Sequence, residues 1–177
     1  LRIVIGYLAG AAAGFAFGLI CCRSEAMDGL IAPAVRIVRA TPVASFIILA
    51  LLWMGKARVP VLMAALMVMP VVWGNFCESY RAVDDKLLEM AAAYRLGTYK
   101  TLRYIYLPSM APSIKAACLT SMGLAWKSGI AAEVLAQPKL AMGTNIYYSK
   151  IYLETPELFA WTIAVIILSF ALEKSIL

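Results

Sequence analysis

The sequence contains little charge and no histidine. Only 15% of its 177 residues are charged, whereas 63% are hydrophobic. A soluble domain of this length would have about a quarter of its residues charged, so the composition excludes an ordinary soluble enzyme. A disordered chain would need the opposite bias. Because histidine is absent and none of the four cysteines forms a CxxC pattern, we predict no metal site, no cofactor and no histidine-based catalysis.

The sequence also lacks a phosphate-binding loop. No stretch follows the pattern GxxxxGK[ST], so the chain is not expected to hold the phosphates of ATP in that way. Its 16 lysines and arginines against 10 acidic residues give a net charge of +6. Since these cations lie between hydrophobic blocks, membrane topology explains them better than nucleic acid, which we do not expect as a partner.

Five hydrophobic blocks dominate the chain. They are Ile3–Cys22, Ala40–Gly55, Val59–Cys77, approximately Met110–Ala136, and Leu158–Leu172. As a helix the first block would be about 30 Å long, which is the thickness of a bilayer core. The fourth is interrupted by charged residues, and the second and fifth are short. The pattern predicts an all-α, polytopic membrane protein with five transmembrane helices, forming a single domain over residues 1–177.

The loops between the blocks predict the orientation. One side carries most of the cations, namely Arg23, Arg36, Arg39, Arg81, Lys86, Arg95, Lys100, Arg103 and Lys174. The other side carries Arg2, Lys56, Arg58, Lys139 and Lys150. The positive-inside rule puts the first side in the cytoplasm, so the chain would start outside and end inside. Since it opens without an initiator methionine or a signal-like region, we expect an internal piece of a longer protein, preceded by an upstream helix.

A repeated glycine spacing marks the first block. Gly6, Gly10, Gly14 and Gly18 recur every four residues, which puts them on one face of a helix, where a neighbouring helix can approach closely. The spacing predicts a helix-packing seam, and the partner could be a helix of this chain or of another subunit.

The predicted cytoplasmic loop at about 78–107 has a distinctive sequence. Residues 84–96 contain good helix formers with acids early, so they indicate one or two short helices ending at Gly97. Thr98–Leu107 follows as a basic, aromatic amphipathic segment, and Pro108 marks the entry into the fourth block.

This loop resembles the EAA loop of permease subunits of binding-protein-dependent ABC importers. The family pattern is Glu-Ala-Ala, three residues, Gly, nine residues, Ile-x-Leu-Pro, and it corresponds here to Glu89-Met90-Ala91 followed by Ile105-Tyr-Leu107-Pro108. Two positions depart from the pattern, because Met90 replaces the first alanine and Arg95 stands at the glycine position.

The resemblance extends beyond the loop to the nitrate/sulfonate/taurine-type subfamily. Arg39-Ala-Thr-Pro42 running on to Leu52-Trp53-Met54-Gly55, and Trp126 with Ala131-Ala132-Glu133, are similar to segments of its members. These members import taurine, alkanesulfonates, nitrate, bicarbonate or thiamine-precursor pyrimidines. The resemblance implies a type I importer core in the bacterial inner membrane that performs no enzymatic reaction itself.

It also implies the partners and the contact residues. Two ATPase subunits would bind inside, a second permease copy or a homologue would pair within the bilayer, and an extracytoplasmic substrate-binding protein would deliver the solute. The loop residues that would couple to the ATPase are Glu89, Ala91, Ala92, Ala93, Arg95, Gly97, Leu107 and Pro108. The alternative without such coupling is a solvated loop helix, in which Glu89 merely favours the helix dipole.

Two charges in the fourth block need an explanation, because a charge facing lipid is costly. Lys127 and Glu133 are six residues apart, which is about 240° around a regular helix, so they would not face each other. Either the helix breaks near Gly129 or each charge has another partner. Lys127 and Glu133 are therefore candidates for the translocation path, where the lysine would favour anionic substrates, and the alternative is a structural role.

A rival function comes from a different class of membrane protein. An ATP-independent secondary carrier or a helical scaffold could also contain several spans. A carrier would more usually show two related halves, and the sequence contains no internal repeat. A scaffold would have no need of the spacing from Glu89 to Pro108.

Overall fold

A computed structural model describes residues 1–176, and all regular secondary structure in that range is helical. The helices are α1 (Arg2–Arg23), α2 (Glu25–Ala40), α3 (Val43–Trp53), α4 (Val59–Arg81), α5 (Asp85–Ala93), α6 (Thr98–Thr101), α7 (Leu107–Ala136), α8 (Met142–Ile151) and α9 (Thr155–Ile176), with a π-helical turn at Leu102–Tyr106. The predicted all-α class is confirmed.

The predicted count of five membrane crossings is not confirmed. Within residues 1–176, three helices are long and apolar enough to cross a bilayer, namely α1, α4 and α9 over Thr155–Lys174. A fourth crossing is possible if α2 and α3 together form one broken span. Although α7 has 30 residues, it is not among these helices, because Lys115, Lys127 and Glu133 lie along it.

The second hydrophobic block differs most from the prediction. Its only helix is α3, because a bend of 103° at the start of the block separates α3 from α2, and at this bend Thr41 and Pro42 both have extended backbone. Proline disfavours a helical conformation in the residue before it, so the helix stops at Ala40. The remaining 11 residues of α3 reach only about 16 Å, which is too short to cross a bilayer core alone.

The glycine-rich face of α1 packs directly against α4. A Cβ atom added at Gly10 would lie 2.6 Å from the Ala65 carbonyl oxygen, and one added at Gly18 would lie 2.7 Å from the Phe76 ring. Gly6 and Gly14 meet α4 in the same way, at Val61 and Met69. Since the contacts advance together along both helices, α1 and α4 run in the same direction, as the predicted alternation of crossings requires.

Helix α7 completes the core and runs in the opposite direction. Its C-terminal part meets the start of α1, where Gly129 lies against Ile3, whereas Tyr7, one turn further along α1, donates a 3.2 Å hydrogen bond to the Cys118 carbonyl. Ala125 and Trp126 are buried in the same cluster. The indole of Trp126 donates to the Val165 carbonyl of α9 at 3.2 Å, although the apolar stretch of α9 is otherwise unburied within the chain.

Candidate functional site

The loop that resembles the EAA motif folds as α5, α6 and the π-helical turn. Helix α5 begins after Asp84, whose carboxylate caps it by accepting a 2.9 Å hydrogen bond from the Lys86 backbone N–H. This cap satisfies one of the amide groups that every helix start leaves without a partner.

The helix ends at Ala93, and the predicted end at Gly97 is wrong. The turn is made by Arg95, which has a left-handed backbone with φ of 51°, while the Leu96 N–H bonds back to the Ala91 carbonyl at 2.9 Å. Gly97 instead has an ordinary φ of −65° and precedes α6. Arg95 therefore adopts, at the motif's glycine position, the conformation that glycine adopts most easily.

The connection to α7 contains the π-helical turn and the motif proline. The Leu107 N–H donates to the Leu102 carbonyl, five residues back. Pro108 lies in the first turn of α7, where it has no N–H to donate and its ring would crowd the carbonyl four residues earlier. A widened turn relieves that crowding. Leu107 and Pro108, both exposed, thus mark the junction between the loop and α7.

The loop is anchored to the ends of α4 and α7 by a small hydrophobic cluster. Val83, Ala91, Ile105 and Met110 are buried together. Beside them the rings of Tyr80 and Tyr106 stack with centroids 4.6 Å apart. Because this packing joins the loop to two long helices, a force applied to α5 would reach both of them.

The end of α4 is also tied to α2. The Arg81 guanidinium donates to the Asp28 carboxylate at 2.7 Å. This pair is partly exposed, so its contribution to stability is small, but it orients α2 relative to the loop.

The predicted coupling residues of α5 divide into a buried and an exposed group. Ala91 faces its own chain and is only 4% exposed, so its small size serves internal packing. Glu89, Ala92 and Ala93 are exposed. On a different side of the helix, next to Ala91, Leu87, Met90 and Tyr94 form an apolar stripe with exposures of 38%, 44% and 76%. Their spacing of three and four residues puts them on one helix face.

Lys127 and Glu133 occupy different surroundings on one unbroken helix. Glu133 is buried and accepts a 3.2 Å hydrogen bond from the Gly143 backbone N–H at the start of α8. Lys127 is exposed and lines an open cavity of about 440 Å³ together with Glu173 of α9. Of the two alternatives left by the sequence, the helix does not break near Gly129, and Glu133 has another partner.

Several residues of these sites were not identified from the sequence. Gly143 lies so close to Glu133 that an added Cβ would meet the Glu133 side chain at 2.5 Å. Tyr80, Tyr106 and Glu173 were also missed, because each acts through a contact with a residue distant in sequence. For Tyr106, the motif itself gave a signal, because it lies between the matched Ile105 and Leu107.

Comparison with known proteins gives the family. Residues 7–173 match the family described as binding-protein-dependent transport system inner membrane component. A Bacillus subtilis protein named as an aliphatic sulfonates transport permease is 27% identical over 160 residues, which are 90% of this chain and 58% of that protein. The taurine transport system permease protein of Escherichia coli is 21% identical over 173 residues, 97% of this chain and 62% of that protein.

A third relative extends the range of named substrates. The nitrate import permease protein of Synechococcus elongatus is 24% identical over 136 residues, covering 76% of this chain and 48% of that protein. The chain thus spans about half to three fifths of the length of these relatives. Their names confirm the predicted resemblance to the nitrate/sulfonate/taurine-type permeases. Because the family match covers nearly the whole chain, this protein belongs to the binding-protein-dependent transport system inner membrane components.

Proposed function

We propose that this chain forms half of the translocation pathway of an ABC importer and couples to a separate ATPase through α5. The observation that carries the proposal is the exposed apolar stripe of Leu87, Met90 and Tyr94 on a helix whose adjoining Ala91 is buried against its own chain. Apolar side chains of this size on a short surface helix typically mark a protein interface. Glu89, which is exposed on another side of α5, would add a charge-assisted contact with a partner that surrounds the helix.

The anchoring explains how nucleotide-driven movement would reach the membrane. A docked α5 would move with the ATPase, and the cluster of Val83, Ile105 and Met110 would carry that movement to α4 and α7. Packed helices shift as units instead of deforming continuously. ATP hydrolysis would thus occur in the partner, and this chain would alternate its access between the two sides of the membrane.

The experiment is co-purification in detergent with the ATPase encoded beside the gene. Wild type should retain the ATPase, whereas Glu89→Arg should weaken the complex about tenfold or more and Ala92→Trp should abolish it, because the bulky ring would hold the partner away from the helix. Ala82→Trp is the matched control, since Ala82 is an exposed alanine of the same loop outside α5. Equal ATPase capture by all four proteins would contradict docking through α5. Failure of wild type to capture the ATPase would favour an ATP-independent carrier or a scaffold.

The assembly that follows contains two ATPase subunits, a second copy or homologue of this permease, and an extracytoplasmic substrate-binding protein. In the proposed orientation Arg2 lies outside and the loop at about 78–107 lies in the cytoplasm. The predicted cytoplasmic end of α9 does not fit this arrangement, because Leu172 lines a cavity with Leu1 and Ile3 at the start of α1. The relatives named for sulfonate, taurine and nitrate transport support a small anionic or sulfonate-bearing solute, or one resembling a thiamine precursor.

Lys127 is the residue that we assign to the path of this solute. It lines an open cavity in which the only opposing charge among the lining residues is Glu173. Its ammonium group would attract an anionic solute, and Glu173 would weaken that attraction. Glu133 is assigned a structural role at the outer end of α7, because its carboxylate already accepts from Gly143.

Uptake measurements in proteoliposomes test the assignment of Lys127. Lys127→Met should lower uptake of an anionic solute at least severalfold while the complex with the ATPase stays intact, and Lys127→Arg should restore much of it because the charge returns. Unchanged uptake by Lys127→Met would contradict the path role, as would an equal loss in Lys127→Arg.

A further inference from the structure

A cavity of about 400 Å³ lies between the end of α1 and the loop segment formed by α6 and the π-helical turn. It is lined on one side by Leu19 and Arg23 of α1 and on the other by Thr98, Leu102 and Tyr106. None of the α5 residues that carry the apolar stripe borders it. We propose that this cavity binds the head group of an anionic phospholipid, with Arg23 as the residue that pairs with the phosphate.

The chemistry of the lining fits such a ligand. Its one charged group is the Arg23 guanidinium, which binds phosphate oxygens in a fixed, two-pronged geometry. The other polar groups are hydroxyls and a thiol, contributed by Thr98, Thr101, Tyr80, Tyr106 and Cys22. Hydroxyl groups can bind both the phosphate and the glycerol oxygens of a head group. Leu19 and Leu102 offer apolar surface for the upper part of an acyl chain.

Tyr106 adds a neutral polar group to this cavity. Burial, together with a hydrogen bond with Tyr80, raises the pKa of the Tyr106 hydroxyl. The oxygen of this hydroxyl can accept a further hydrogen bond, for example from a hydroxyl of a phosphatidylglycerol head group. The stacked ring of Tyr80 holds the Tyr106 ring in place.

The charge around the cavity favours an anion. Cations outnumber carboxylates there. Arg23 lines the cavity and Arg95, Lys100 and Arg103 lie in the segment that borders it, whereas Asp85 acts electrostatically on Tyr106 and Asp28 on Cys22. Basic pockets beside the cytoplasmic ends of membrane helices are typical sites for anionic lipid head groups. A solute anion of the cytoplasm shares the phosphate chemistry, so the test must separate the two sources.

The position of the cavity favours a lipid over a free anion. Arg23 is the last residue of α1, which is long and apolar enough to span a bilayer, and Leu19 lies one turn deeper and is 48% exposed. Tyr99 and Tyr104 are 77% and 70% exposed on the loop segment. Exposed tyrosines beside lysine and arginine are typical of the membrane interface. The site thus lies where lipid head groups are found, on the side that the proposed orientation assigns to the cytoplasm.

Native mass spectrometry of the purified transporter tests the proposal. The complete complex is titrated with phosphatidylglycerol, with phosphatidylcholine and with glycerol 3-phosphate. Phosphatidylglycerol should bind at least severalfold more tightly than phosphatidylcholine. Arg23→Gln should lower its affinity about fivefold, the loss expected for one cation at an anionic surface. Thr98→Trp should abolish binding by filling the cavity without removing a charge.

Two matched variants separate this site from general attraction to a basic surface. Lys115→Gln removes a cation of α7 that does not line the cavity, and Tyr99→Trp enlarges an exposed neighbour of Thr98. Both should bind phosphatidylglycerol as wild type does. Equal losses in Lys115→Gln and Arg23→Gln, or glycerol 3-phosphate binding as tightly as the lipid, would overturn the proposal. Retention of the ATPase, scored in the same spectra, reports separately on docking through α5.

Discussion

The α1–α4 seam and the α5 loop both present small side chains on a helix, yet their surroundings differ. In the seam every glycine already has a neighbour in contact, such as Ala65 at Gly10 and Phe76 at Gly18. In α5 only Ala91 is covered by its own chain, whereas Ala92 and Ala93 are exposed on a helix that also carries the exposed apolar stripe. The covered glycines and Ala91 serve the packing of this chain, and the exposed alanines leave the surface of α5 open to a partner.

The same contrast separates the two charges of α7. Glu133 is buried and its carboxylate binds the start of α8. Lys127 is exposed to an open cavity. The two charges could not be distinguished in the sequence. Their surroundings in the structure are the basis on which we propose a structural role for Glu133 and a transport role for Lys127.

The largest effect is expected in the seam. Gly10→Ala should destabilise the protein by about 1–3 kcal/mol, because overpacking forces the helices apart and the new Cβ would lie 2.6 Å from the Ala65 carbonyl oxygen. Thermal denaturation of the purified protein in detergent measures this change.

Gly29→Ala is the matched control for the seam. Gly29 also lies inside a helix, α2, but no atom lies within 4 Å of its missing Cβ. Alanine is the better helix former, so this variant should gain up to about 1 kcal/mol. If the two variants changed stability in the same direction, the close contact of Gly10 with α4 would not be what makes glycine necessary in the seam.

How much of this could be predicted depended on whether the signal was local. Unbroken hydrophobic length identified α1, α4 and α9, and a four-residue period identified the packing face of α1. For the hydrophobic blocks that contain charges or proline, the predicted membrane crossings were not confirmed, because the conformation of these segments depends on packing. Thus Pro42 separates α3 from α2 at a bend of 103° and leaves the second block with a helix of 11 residues. Helix α7 is continuous past Gly129 and packs on α1 and α4.

The candidate site follows the same division. The spacing from Glu89 to Pro108 located the loop, and the loop is where the structure has an exposed, anchored helix. The sequence did not reveal that Ala91 faces inward while Ala92 faces outward, or that the Gly143 N–H would donate a hydrogen bond to Glu133. Both features depend on contacts between residues that are distant in sequence, and a periodic pattern along one segment carries no information about such contacts.

An effect of comparable size or smaller is expected at the C-terminal end of α7. Glu133→Ala would leave the buried Gly143 N–H without its acceptor, and losing a buried hydrogen-bond partner costs about 1–3 kcal/mol. Glu133→Gln keeps a carbonyl oxygen that can accept the same bond, so it should lose clearly less. Thermal denaturation in detergent again measures both. If the two variants lost equal stability, the negative charge and not the hydrogen bond would be what the site requires.

The smallest effect is expected in the turn after α5, and it has the opposite sign. Arg95 has a φ of 51°, a conformation that costs residues with a Cβ about 1–2 kcal/mol. Arg95→Gly should therefore stabilise the loop by up to about 1 kcal/mol, because the flexibility of glycine in the unfolded chain offsets part of the gain. Protection of the α5 amides from hydrogen exchange measures this locally.

Gly97→Ala completes the test of that turn. Gly97 has a φ of −65° and no atom within 4 Å of its missing Cβ, so alanine should be tolerated or slightly favourable. If Gly97 were the residue that ends the helix, the pattern would reverse, with a loss for Gly97→Ala and no gain for Arg95→Gly. The two substitutions thus decide which residue performs the role of the motif's glycine. This turn follows α5, the helix that we propose docks to the ATPase. A stiffer turn would hold α5 more firmly in position for docking.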